Sequence, residues 1–167
     1  IEPEDLDSLI MLTRIYFTRE MYKECIKKAK KIIQLDENNL EMMRYIARCY
    51  GKLDDEGKMK EIYLQIIEKD PEDVNTLSLI SRINYNNENF EECIKISKDI
   101  LKIEQDNIDA MRFIARSNNK LGNDEESLST YLKILNKYPK DRDTISTLTR
   151  IYYRLSDFEN VLIYSEK

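Results

Sequence analysis

One interval governs this chain. The triplets Leu12-Thr13-Arg14, Ile46-Ala47-Arg48, Ile80-Ser81-Arg82, Ile114-Ala115-Arg116 and Leu148-Thr149-Arg150 set five arginines 34 residues apart. A fixed period of roughly 20–50 residues is the mark of stacked repeats. Each unit is too small to bury its own apolar face, and its neighbours supply the rest of the core.

Counting each unit from position 1 to position 34, the repeats begin at Leu6, Leu40, Val74, Ile108 and Arg142. Apolar residues at positions 4, 7 and 11, such as Leu9, Leu12 and Tyr16, keep helical spacing in the first half of a unit. Positions 17, 20, 21, 24, 27 and 28 resume it in the second half, as in Tyr22, Cys25, Ile26, Ala29, Ile32 and Ile33. Each unit therefore reads as two amphipathic helices, and each helix needs a neighbour to cover its apolar stripe.

Turn residues punctuate this pattern where it requires them. Glu20, Asp54-Asp55, Glu88-Asn89, Gly122-Asn123 and Ser156-Asp157 fall within units. Asp36-Glu37-Asn38-Asn39, Asp70-Pro71-Glu72-Asp73, Gln105-Asp106-Asn107 and Pro139-Lys140-Asp141 fall between them. Pro71 and Pro139 share position 32, where a fixed backbone angle ends one helix before the next begins. Pro3 is in the same phase, so residues 1–5 read as the tail of a preceding repeat. The units are then 6–39, 40–73, 74–107, 108–141 and a truncated 142–167, without a polar cap at the end. The expectation is a piece of a longer array whose uncapped ends favour self-association.

A longer period is superimposed. Met43-Arg44 and Lys52-Leu53 recur as Met111-Arg112 and Lys120-Leu121, and position 24 alternates Ala29, Tyr63, Ser97, Tyr131, Ser165. The full period is thus two repeats. Either a pair was duplicated, or facing layers interleave small and large side chains.

Composition removes several function classes. The chain has no histidine, which takes away the usual proton shuttle and the commonest metal ligand. Three cysteines argue against a disulfide framework and suit small buried hydrophobes. No paired carboxylates with a base, no phosphate-cradling glycine loop and no Cys/His metal spacing are present, so neither catalysis, cofactor nor metal is expected. The apolar runs are far too short for a membrane span. With free cysteines and no visible targeting segment, a cytoplasmic setting is favoured.

Helix–turn–helix units of this length, with a large residue at position 4 (Leu9, Met43, Leu77, Met111, Ile145) and a small one at position 8 (Thr13, Ala47, Ser81, Ala115, Thr149), resemble the tetratricopeptide repeat (TPR). So do the small position 20 (Cys25, Cys93, Ser127, Val161, with Met59 the exception) and the aromatic Tyr22, Phe90 and Phe158 before the second helix. The resemblance implies an all-α, right-handed α-solenoid. One departure is consistent: position 27, small in the family, is Ile32, Ile66, Ile100 and Ile134. It should open the helix spacing.

The resemblance also implies that first helices line a concave face, with ligands meeting positions 2, 5, 9, 12 and 13. Here that gives Arg14, Arg44, Arg48, Lys52, Arg82, Arg112, Arg116, Lys120, Arg150 and Arg154, with the aromatics Phe17, Tyr85 and Tyr153. Against ten cations stand four acids at position 2 (Asp7, Glu41, Asp109, Asp143), in a chain of net charge −5. A basic face on an acidic chain is more selective than general basicity. A chaperone-tail clamp of the family's kind is not supported, since its Lys and Asn positions hold Ile10, Arg14, Tyr45, Asn75 and Leu79 here.

Two readings of the arginines stand side by side. They grip an acidic partner segment, or each pairs with the position-2 carboxylate of the next repeat as an internal ladder. The functional expectation is a non-catalytic scaffold that captures an acidic peptide. The rival is the substrate-recognition region of a larger enzyme, such as a glycosyl- or sulfo-transferase, contacting an anionic glycan. RNA ranks last, because the chain is acidic and its aromatics are isolated.

Overall fold

Helix boundaries follow the 34-residue count because capping residues recur on it. A computed structural model describes residues 5–166, and among these the backbone forms ten α-helices and no strand. They are α1 (Leu6–Thr18), α2 (Tyr22–Leu35), α3 (Leu40–Lys52), α4 (Glu56–Lys69), α5 (Val74–Asn86), α6 (Phe90–Ile103), α7 (Ile108–Leu121), α8 (Asp124–Lys137), α9 (Arg142–Arg154) and α10 (Phe158–Ser165). Pro3 and Lys167, which the sequence reading also uses, lie outside the described residues.

Each odd-numbered helix is preceded at position 34 by an Asx residue: Asp5, Asn39, Asp73, Asn107 or Asp141. Asn39 accepts the Met42 N–H and Asn107 that of Ala110, filling orphan donors of the first turn. At the other end of these helices, Glu20, Asp54, Glu88, Gly122 and Ser156 all adopt positive φ. Each is followed by an N–H that donates to the carbonyl five residues back at 2.9 Å, from Met21 to Tyr16 through Asp157 to Tyr152. This is the Schellman closure of a helix. Only Gly122 meets it without a Cβ penalty; at the other four turns the left-handed backbone costs about 1 kcal/mol.

In α2, α4, α6 and α8 the position-27 isoleucine lies in the last turn and its carbonyl closes the helix end. The carbonyls of Ile32, Ile66, Ile100 and Ile134 each accept the next repeat junction's N–H at 2.8 Å, and all four side chains are fully buried. Fully burying one such side chain is worth roughly 1.5–3 kcal/mol.

The chain divides between Thr76 and Leu77 into two compact units. In the first, Leu9, Ala29, Ile32, Met42 and Ile46 form a buried cluster. In the second, Ala115, Tyr131, Ile134, Leu135, Leu148, Ile151 and Tyr152 do so. Position 24 alternates inside these cores. Tyr131 packs in the cluster with the small Ala115, whereas Ser97 meets Ser81 through a 3.2 Å hydroxyl contact. Small faces large in one repeat, and small faces small in the one before it. Cys25, Cys49 and Cys93 are free and buried. Helix α10 contributes no buried residue.

Candidate functional site

Arg44 and Arg112 each start one turn into a first helix, and each reaches the capping residue of the following repeat. Arg44 Nη1 donates to Asp73 Oδ2 at 2.6 Å, and Arg112 Nη2 to Asp141 Oδ1 at 2.9 Å. The same carboxylates accept the hydroxyls of Thr76 and Thr144. The acids are the more enclosed partners, Asp73 at 7% and Asp141 at 15% side-chain exposure. Burial disfavours the Asp141 charge, but Thr144 and Arg112 more than offset it and leave the carboxyl more acidic than usual. These two arginines are therefore committed inside the fold. The two Asp residues follow the repeats with Arg44 and Arg112 at position 5, whereas Asn39 and Asn107 follow Ile10 and Ser78.

The position-9 arginines are all exposed and diverge in their surroundings. In the first unit, Arg14 Nη2 donates to Glu41 Oε1 at 2.9 Å, which is the expected ladder rung. Arg48 has Asn75 where an acid would stand, and its guanidinium instead lies 4.5 Å over the Phe17 ring and 5.8 Å from that of Tyr45. Lys52 ends α3, exposed. In the second unit, Arg82 and Arg116 close no rung to Asp109 or Asp143 among the described residues. Arg150 makes only a long 3.4 Å contact to the Thr147 hydroxyl.

The position-12 aromatics pack within their own repeats. Phe17 meets Tyr22 at 5.9 Å, Tyr85 meets Phe90 at 5.6 Å and Tyr153 meets Phe158 at 6.1 Å. The first and third of these pairs are edge-on, as ring quadrupoles prefer, and so is the second. Tyr153 still keeps most of its surface open.

Five of the residues singled out by sequence come together in the second unit. Tyr85, Arg116, Lys120, Arg150 and Arg154 line one cavity of about 570 Å³. Arg116 and Lys120 are one turn apart on α7, Arg150 and Arg154 one turn apart on α9. Asp143 is the single carboxylate in the lining, and Asn119, Ser146 and Thr147 add neutral polar groups. Arg154 is held by Asp124 and by Asn119 Oδ1. Arg116, Lys120 and Arg150 close no ion pair among the described residues.

Tyr131 of α8, almost wholly buried, also reaches this cavity beside Arg116 and Thr147. Burial raises its pKa while Arg116 pulls the other way, so the phenol stays protonated. In sequence Tyr131 showed only as the large member of an alternating core position. The cavity thus gathers charged donors from two helices, α7 and α9.

A tetratricopeptide-repeat family model matches residues 41–73 and 109–141. Each of these two segments is a tetratricopeptide repeat. The two matched segments are the even-numbered units, one 68-residue period apart. The TPR repeat-containing protein YpiA of Bacillus subtilis (strain 168) is 22% identical over 143 residues, covering 86% of this chain. The chain spans only about a third of that relative's length. Among solved structures, MamA of Desulfovibrio magneticus RS-1 is similar with a TM-score of 0.80 at 10% identity, covering 99% of this chain and 96% of that one. PilF of Pseudomonas aeruginosa gives 0.78 at 13% identity, covering 96% and 73%. At these identities the TPR structures share the fold. TPR proteins of this kind are in general interaction scaffolds that bind other proteins.

Proposed function

We propose that the TPR chain is a non-catalytic scaffold that captures an acidic peptide segment in the second-unit cavity, through Arg116, Lys120 and Arg150. One observation carries this reading: three cations without an ion-pair partner share an approximately 570 Å³ cavity with a single carboxylate. That volume lies in the range of ligand pockets, about 300–1,000 Å³. Arginine forks recognise carboxylates bidentately, and Lys120 adds a point charge. Arg82, exposed on the same unit, would extend the favourable field. Arg44 and Arg112 serve as structural partners of Asp73 and Asp141 rather than as ligand contacts.

The test is a fluorescence-anisotropy titration with a labelled glutamate-rich peptide. The Arg116→Glu/Arg150→Glu double variant should bind at least about a hundredfold more weakly, since each lost charged hydrogen bond is worth about 1.5 kcal/mol or more. Wild-type affinity should fall as salt rises. Undiminished binding by the double variant, or equal affinity for a lysine-rich peptide, would overturn the assignment.

A further inference from the structure

The cation pattern of α2 is unlike that of the other second helices, and no part of the peptide-binding reading uses it. Helix α2 carries Lys23, Lys27, Lys28, Lys30 and Lys31 against one acid, Glu24. Its buried residues are Cys25, Ala29 and Ile32. At about 100° per residue, these place Lys23, Lys27 and Lys30 on the opposite side of the helix, with Lys31 at the margin. All four of those lysines are exposed.

In α4 and α6 four lysines are neutralised locally. Lys58 pairs with Asp55 at 2.6 Å, Lys60 with Glu56 at 3.8 Å, Lys95 with Glu92 at 3.2 Å and Lys102 with Asp99 at 2.6 Å. Lys23, Lys27 and Lys30 have no ion-pair partner among the described residues. Like charges three and four residues apart on a helix repel, so this stripe persists against a cost that a counter-surface removes. General basicity does not explain it, because the chain carries net charge −5.

We infer that this face of α2 docks on an anionic lipid bilayer. Lysine alone makes the stripe. It offers hydrated point charges on flexible stems and no planar forks, which suits a diffuse array of headgroups. No arginine or aromatic side chain lies on it to grip or stack bases, so nucleic acid fits it poorly. Leu35, next to Lys31 on the helix surface, is 70% exposed and contributes to neither core cluster. An apolar side chain at the edge of a basic stripe reaches the boundary between headgroups and acyl chains. Screening confines the attraction to charges within about 8 Å, so the acidic remainder of the chain does not cancel it.

The experiment is co-sedimentation of the protein with phosphatidylcholine vesicles, with and without phosphatidylserine, at low and physiological salt. Binding should require phosphatidylserine and weaken with salt. Each lysine near such a surface contributes about fivefold, so Lys23→Gln/Lys27→Gln/Lys30→Gln should lose about a hundredfold in partitioning. Circular dichroism of that variant should be unchanged, since all three side chains are exposed. Leu35→Ser should lose a smaller factor. Arg116→Glu/Arg150→Glu should bind vesicles normally, which keeps this result separate from the peptide site. Three results would overturn the inference: equal binding to neutral vesicles, undiminished binding by the glutamine variant, or tighter binding to duplex DNA or polyglutamate at matched salt.

Discussion

Arg48 and Arg116 hold the same repeat position one 68-residue period apart, and their settings begin alike. Each lies near an aromatic pair joining successive repeats, Phe17 with Tyr45 at 5.3 Å and Tyr85 with Phe113 at 5.8 Å. There the likeness ends. In the first unit the guanidinium of Arg48 lies over the ring of Phe17, and the neighbouring Arg14 is tied to Glu41. In the second unit Arg116 turns to a cavity with Lys120, Arg150 and the Tyr131 phenol. The same arginine thus covers a ring in one unit and lines a cavity in the other. The repeat sets where the side chain starts; the neighbours decide what it does.

The sharpest way to break this contrast is to remove arginines and compare units. Arg44→Ala and Arg112→Ala should destabilise their units alike, by about 2–3 kcal/mol each, because each leaves an enclosed carboxylate without its guanidinium. Urea titration would measure this, and unequal losses would show that the two links are not equivalent. A companion measurement follows the acid limb. The Asp141 carboxyl is more acidic folded than unfolded, so its contribution is complete above about pH 4 and is lost as pH falls through the folded-state value. Asp141→Asn should flatten the stability-versus-pH curve in that window.

Next in size, Arg48→Ala should cost about 1 kcal/mol of stability through the lost cation–π contact. Arg116→Ala should cost less than about 0.5 kcal/mol, as an exposed residue without an ion pair does. Thermal denaturation of the two variants in parallel tests this directly. If Arg116→Ala proved the more damaging, the cavity arginine would be structural after all.

The smallest effects concern a feature both units share. Glu20→Gly and Glu88→Gly should each raise stability by about 0.5–1 kcal/mol by relieving positive φ, and Gly122→Ala should lower it by about as much. No heavy atom lies within 4 Å of a Cβ built on Gly122, so that loss would be backbone strain alone.

The architecture was legible because its determinants are local and periodic. Helices begin at Leu6, Leu40, Val74, Ile108 and Arg142, where the repeat count places them. The isoleucines at position 27, periodic in the sequence, are all four fully buried. The site was legible only in part. Sequence spacing set Arg44, Arg48 and Lys52 on one helical stripe, and likewise Arg112, Arg116 and Lys120. It did not show which of them face a partner 29 residues on. Side-chain reach decides that: a position-5 arginine meets the next helix's capping residue, while a position-9 arginine stands farther along the helix. Tyr131 and Thr147 went unread as site residues because one is a core position and the other has no distinguishing periodicity.

The alternation of Asp and Asn at the helix starts has a consequence for how an array of near-identical units avoids assembling wrongly. If the repeat containing Arg44 docked one repeat too far along, its guanidinium would meet Asn107 instead of Asp73. It would leave Asp73 enclosed with no cation, and breaking such a pair costs several kcal/mol. Sequences this self-similar are prone to misassembly of neighbouring units. A charged address written on every second junction lets the chain count in twos.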